Sequence, residues 1–258
     1  MKEKRMRQKF VGLWISFLLF FLCYLAVEIQ LGVLLSIWTT GLSIYLLIKN
    51  KLPSLKNIFL SILLAALVSV SFIGMGAGIG TVAANGLLSG VPTLLCSMAV
   101  FSVAEKREGL RFSAPGTGQV PFTSILIGIG TGTVLSIINV FLMIGNTQMD
   151  FCVSFSRLLV CLNPAIYEEI VCRAIFLAFF LYKLGGQEAT RFQSFTMWFM
   201  MCVPHTVAHG YDLLSTILLC ILFGMPFAIL QKKRDVLSAM ISHGLVDAVR
   251  FTIFGLGF

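Results

Sequence analysis

Apolar positions in this chain fall in long unbroken runs, not in alternation. Residues 10–27 and 58–72 carry no period of two, which argues against the alternating segments of about ten residues found in a β-barrel and in favour of helices. A helix that crosses a bilayer needs about 20 mostly apolar residues. Spans are predicted over residues 10–27, 30–48, 58–79, 87–104, 122–144, 158–182, 194–209, 213–230 and 236–254. The expected fold class is all-α: a polytopic transmembrane helical bundle of about eight or nine spans.

Composition agrees with this pattern. Of 258 residues, 58% are hydrophobic and 12% charged, whereas soluble domains carry roughly 25% charged residues. Lys and Arg collect on the cytoplasmic side of membrane proteins. They occur in the N-terminal tail (Lys2, Lys4, Arg5, Arg7, Lys9), then at Lys49, Lys51 and Lys56, at Lys106, Arg107 and Arg111, at Lys183 and Arg191, and at Lys232, Lys233 and Arg234. The connections between these are read as lacking them, which predicts a cytoplasmic N terminus and an external C terminus. The first span is longer than a signal core and no clear small-x-small cleavage site follows it, so an uncleaved anchor is expected. Topology and attraction to anionic lipid account for the net charge of +8, and a nucleic-acid partner is not expected.

Seven cysteines are scattered without a Cys-x-x-Cys pair; they frame no disulfide scaffold or zinc ribbon and read as small apolar residues. The glycine runs at Gly74, Gly76, Gly78 and Gly80 and at Gly128, Gly130 and Gly132 lack the Lys-Ser/Thr ending of a phosphate-binding loop. Gly74/Gly78 and Gly128/Gly132 have the small-x-x-x-small spacing of close helix packing. The longest polar connection, residues 105–121, divides the chain into N-terminal transmembrane helices (1–121) and a C-terminal core (122–258). Before it, Glu28 is the one acidic intramembrane candidate. Chemistry belongs to the later half.

There, ionisable residues lie one helical turn apart inside apolar segments, where each costs at least about 2.5–3.5 kcal/mol unless it is satisfied by others. Asn163-Pro164 resembles a helix start, with Asn as cap and Pro at the first helical position. It leads into Glu168-Glu169, and Glu169 shares a face with Arg173 while Glu168 points about 100° away. One carboxylate can therefore be paired while the other, sheltered from water, acts as a base. His205 and His209 share a face beyond Pro204, whose ring removes the helical donor to the Met200 carbonyl. They could hold an activated water or bind zinc. His243 and Asp247 form a third pair four residues apart, able to polarise an oxyanion or complete a metal shell, and Arg250 is three residues from Asp247. Each pair alone could equally be a hydrogen-bonded link between helices.

In this order, Glu168-Glu169-x-x-x-Arg173, His209 with the position four before it, and His243-x-x-x-Asp247 resemble the CPBP family of intramembrane proteases. This family groups CAAX prenyl proteases with bacteriocin-processing (Abi) enzymes. The resemblance covers about the last two fifths of the chain. It implies a CPBP-like catalytic core in 122–258 and peptide-bond hydrolysis in the membrane. Glu168 would activate water with help from His209, His243 and Asp247 would polarise the scissile carbonyl, and Glu169 and Arg173 would support them. The family includes metalloproteases and metal-free glutamate proteases. The metal-free form, with no cofactor, is the expectation; were zinc present, Glu168, His205, His209 and His243 would be its ligands. Two positions depart from the family: His205 stands where Phe is usual, and Asp247 where the prenyl proteases have Asn. The expected partners are a membrane-associated peptide or protein substrate and the lipid bilayer, and the expected location is a bacterial plasma membrane. The competing readings are a non-catalytic scaffold or regulator of the same fold and a proton-coupled transporter.

Overall fold

The structure, a computed structural model, describes residues 2–26, 30–113 and 121–256. Glu28 and residues 114–120 of the dividing connection lie outside them. The described residues form helices and no strand. In chain order these are α1 (Lys2–Ala26), α2 (Leu31–Asn50), α3 (Leu55–Ser71), α4 (Ile79–Ala104), α5 (Phe122–Met143), α6 (Phe155–Val160), α7 (Ile175–Leu184), α8 (Arg191–Ala208), α9 (Leu213–Leu219), α10 (Met225–Lys233) and α11 (Val236–Phe254). Two π-helical turns, Pro164–Glu168 and Ile170–Ala174, join α6 to α7, and a third, Cys220–Gly224, joins α9 to α10.

Six segments are long and apolar enough to cross a bilayer: Leu31–Asn50, Leu55–Met75, Ile79–Ala104, Phe122–Met143, Leu213–Lys233 and Val236–Phe254. The other three expected spans differ in kind. The first holds a shorter apolar helix, Phe10–Cys23; the sixth is interrupted by a turn at Cys161 and the π turns; and the seventh is the 18-residue, more polar α8. The boundary after the third span also moves. A 3₁₀ turn, Phe72–Met75, ends at Gly76 with φ 68°, a left-handed stop that glycine adopts without strain, and α4 begins at Ile79 instead of residue 87.

Centrally placed α7 fixes the architecture. Ile175, Phe176, Leu177, Ala178, Phe179 and Phe180 are all buried, and a helix apolar all round belongs inside a bundle. Phe180 stacks on Phe10 with ring centroids 4.6 Å apart, and Phe176 meets Trp38 of α2 at 5.0 Å. The chain leading into α7 is therefore enclosed by α2, α4, α8 and α11.

Glycines bring α5 against α11. A Cβ on Gly128 would lie 2.7 Å from Ile241 Cβ, and one on Gly132 would lie 2.9 Å from the Ser242 carbonyl oxygen, so both positions admit only hydrogen. Gly74 packs on the Ser156 carbonyl of α6, with Val160 Cγ2 2.9 Å from where its Cβ would be. The expected partner of Gly74, Gly78, has nothing within 4 Å: it opens α4 and packs against no helix. The seven cysteines are free, with Cys23 and Cys152 exposed instead of buried as small core residues.

The basic connections gather at one end. Asn50 donates to the Ser102 carbonyl at 2.6 Å, Lys106 donates to the Asn50 carbonyl, and the N–H groups of Val236 and Leu237 donate to the carbonyls of Arg111 and Phe112. Partial burial works against ionisation of Glu105 at this end. Hydrogen bonds from Ser54 and Asn57 and the charge of Lys106 outweigh it and hold the carboxyl below its ordinary range. One basic residue departs from the alternation. Arg157 lies at the opposite end, ion-paired with Asp150 and donating to the Phe251 carbonyl at 3.1 Å. There it satisfies carbonyls at the C-terminus of α11, where a helix end favours a cation.

Replacing Gly132 with Val should overpack the α5–α11 contact and destabilise the protein by about 1–3 kcal/mol. Gly130→Ala, inside the same helix where nothing lies within 4 Å, should hold stability or raise it by up to about 1 kcal/mol. Thermal unfolding in detergent micelles compares the two.

Candidate active site

The two glutamates lie on the π-helical turns before α7. Asn163 does not cap a helix start there: it has helical angles (φ −65°, ψ −64°) and its side chain makes no capping bond. Helical geometry already runs through it. Pro164 sits at the start of the first π turn; lacking an N–H, it cannot continue the regular ladder, and a π turn absorbs that fault by widening. Widening re-aims the side chains that follow. As a result Glu168 faces α8 and α11, while Glu169 faces α10, α11 and Arg173.

Glu169 is wholly buried and fully engaged. It forms an ion pair with Arg173, and its Oε1 lies 2.7 Å from His243 Nδ1. Gln231 Nε2 donates to its Oε2 at 2.7 Å and to its main-chain carbonyl at 2.8 Å. A carboxylate that accepts from Arg173 and Gln231 accepts from His243 as well, so His243 Nδ1 carries a proton. The other imidazole nitrogen, Nε2, then faces Glu168 Oε2 at 3.5 Å and Asp247 Oδ2 at 3.4 Å. Phe227 stacks on the His243 ring with centroids 4.5 Å apart and also carries the Arg173 guanidinium at 5.4 Å.

Glu168 is held differently. Its side chain is 20% exposed and opens onto a cavity of about 390 Å³ lined by Asn163, His205, His209, His243, Asp247 and Arg250, among others. His205 Nε2 is 2.8 Å from Glu168 Oε2, and His209 Nε2 is 3.3 Å from His205 Nε2. The expected assistant of Glu168, His209, thus reaches it through His205, and the residue that departs from the family pattern makes the direct contact. His209 is exposed and stacks on Tyr211 at 5.5 Å. At the far side of the cavity Arg250 Nε lies 3.3 Å from Asp247 Oδ1.

Six of the seven residues singled out from the sequence line this one cavity with Arg250, and the seventh, Glu169, lies behind it, bonded to His243 and Arg173. Three contributors were not foreseen. Gln231 lies just past the expected end of the eighth span; a buried amide inside an apolar run was the available signal. Phe227 and Tyr211 gave none, since aromatic residues are common throughout the chain.

A metal fits part of the set. Ligands at zinc distances of about 2.0–2.1 Å around a tetrahedron are separated by about 3.3–3.4 Å. The ligand atoms of Glu168, His205 and His209 lie within 4.8 Å of one another, with the two imidazole nitrogens 3.3 Å apart. His243, the fourth expected ligand, falls outside this cluster, although its Nε2 lies 3.5 Å from Glu168 Oε2.

Comparison with known proteins points the same way. Residues 151–249 match the family model described as type II CAAX prenyl endopeptidase Rce1-like. The fold and this match together define a multi-pass membrane protein with a protease-family core. The matched segment, running from the approach to α6 into the last turns of α11, is similar to the CPBP, or CAAX protease, family. No curated protein and no solved structure matches.

Gln231→Leu removes both donors to Glu169 at nearly constant volume and should cost about 1–3 kcal/mol of stability. Gln231→Glu, which sets a like charge against Glu169, should cost more. Chemical unfolding in micelles ranks the two.

Proposed function

We propose that the protein is an intramembrane endopeptidase in which Glu168 activates the attacking water. The observation that carries this reading is the contrast between adjacent carboxylates: Glu169 is locked by Arg173, Gln231 and His243, whereas Glu168 faces a cavity with histidine partners. Two carboxyl groups kept in different environments can take different roles.

Water held in the cavity beside Glu168 and His205 gives its proton to Glu168 as its oxygen attacks the scissile carbonyl carbon. The carbonyl π electrons move onto oxygen, and the anion forms on the α11 side of the cavity. Collapse re-forms the carbonyl and breaks the C–N bond, while the proton from Glu168 passes to the leaving nitrogen. His209 steadies His205; His243, fixed by Glu169, lies between Glu168 and Asp247 and orients the carbonyl. Arg173 keeps Glu169 charged. We favour this metal-free form. Zinc, if bound by Glu168, His205 and His209, would supply Lewis-acid polarisation.

The same reading treats 1–121 as supporting helices and 122–258 as the catalytic core. It counts nine crossings, with the interrupted segment before α7 and the more polar α8 spanning the protein-lined interior, since irregular or polar helix is tolerated at depth where it lines a cavity. The basic end faces the cytoplasm, so the N terminus is inside, and the membrane is a bacterial plasma membrane. The substrate is a membrane-associated peptide or protein.

Reconstituted protein incubated with a membrane peptide pool should yield new fragments by mass spectrometry, and Glu168→Gln should reduce their formation by at least about 10³-fold. Unchanged cleavage in Glu168→Gln, or none in the parent protein, would leave a scaffold role. Cleavage should survive a chelator, and His205→Phe should retain part of it; chelator loss restored by zinc, with His205→Phe inactive, would instead establish the metal form.

A further inference from the structure

Hydrolysis needs a hydrogen-bond donor where the carbonyl oxygen becomes negative, and most polar groups around the cavity are already committed. His243 Nδ1 is taken by Glu169, and Nε2 looks at the carboxylates of Glu168 and Asp247. His205 Nε2 serves Glu168 and lies 3.3 Å from His209 Nε2. Arg173 is spent on Glu169. Thr206 and Ser71 donate to the carbonyls of Cys202 and Val68. Asp247, paired with Arg250, can only accept.

Arg250 remains. It lines the cavity, its side chain is 28% exposed, and its guanidinium lies 4.4 Å over the Phe251 ring. Nε is buried and, although 3.3 Å from Asp247 Oδ1, lacks the geometry of a hydrogen bond. No hydrogen bond from this guanidinium occurs among the described residues. It also falls one position beyond the segment matched to the family.

We propose that Arg250 is a catalytic residue for the hydrolysis described above, the donor that stabilises the negative charge on the scissile carbonyl oxygen. The proposal rests on that reading. Asp247 acts as its positioning residue, holding Arg250 on one oxygen and facing His243 with the other. Along the cavity the groups then run from base to electrophile: Glu168, His243, Asp247, Arg250. A guanidinium suits this place because it stays charged and offers several planar donors, whereas an ammonium is a single point charge. Arg250 forms no covalent bond, and the proton inventory of the reaction is unchanged.

The test uses full-length protein in proteoliposomes and a quenched peptide bearing a sequence that the parent protein cleaves and Glu168→Gln does not. Arg250→Gln should lower kcat by about 10²–10³-fold with little change in KM, and Arg250→Lys should fall between. A phosphinate analogue of the same peptide, carrying an anionic tetrahedral centre, should lose affinity for Arg250→Gln by a similar factor. The unreacted peptide, bound to variants that also carry Glu168→Gln, should bind with and without Arg250 equally. Because the comparison is a ratio within each variant, partial misfolding does not imitate it. A parental kcat in Arg250→Gln, a rise in KM alone, or equal weakening of phosphinate and peptide would overturn the assignment. Failure of Glu168→Gln to stop cleavage would instead overturn the hydrolytic reading.

Discussion

Everything around the cavity depends on the buried pair of Glu169 and Arg173. Taking two charges out of water costs several kcal/mol per ion, and their attraction repays it only when the remaining hydrogen-bonding capacity is also met. Here the carboxylate accepts from Arg173, Gln231 and His243, while the guanidinium lies over Phe227 with its Nε buried and without a hydrogen bond. Such a pair is weak as a source of stability and strong as a source of specificity. It ties the chain before α7 to α10 and α11 in a single register, and through His243 it settles which imidazole nitrogen faces the cavity.

From that pair the differentiation of the two glutamates follows. Adjacent residues in an ordinary helix diverge by a fixed angle, but the π turns widen the backbone where Pro164 breaks the ladder. Glu169 is turned toward its three partners, and Glu168 toward the cavity and its histidines. The close packing of Gly128 and Gly132 against α11 then sets how near His243 and Asp247 come. Backbone irregularity on one helix and the missing side chains on another are thus parts of the same site.

Much of this was legible in the sequence. Charged residues at helical spacing inside apolar runs can only be tolerated together, and that constraint groups Glu168, Glu169, Arg173, His205, His209, His243 and Asp247 in one shared polar site. The Gly128/Gly132 contact was readable for the same reason of spacing. Other features were not. Asn163-Pro164 looks like a helix start, yet nothing local distinguishes that from a π turn, which is decided by packing against α4 and α11. Arg157 broke the charge alternation because a helix end, not membrane sidedness, holds it. Gln231 was passed over because a single amide carries no periodicity. The direct contact between His205 and Glu168 depends on which way a side chain rotates, and spacing is silent on that.

The two ends of α11 are tied down by separate parts of the chain. Arg111 and Phe112 receive its first N–H groups, and the N–H groups of Asp150 and Cys152, with Arg157, bind its last carbonyls. A helix moored at both ends behaves as a fixed wall. Across the cavity, α9 has no buried residue, so few contacts oppose its displacement. Were the bundle to open toward Glu168, the α9 flank is the side these contacts oppose least, and α11 is the side they hold in place.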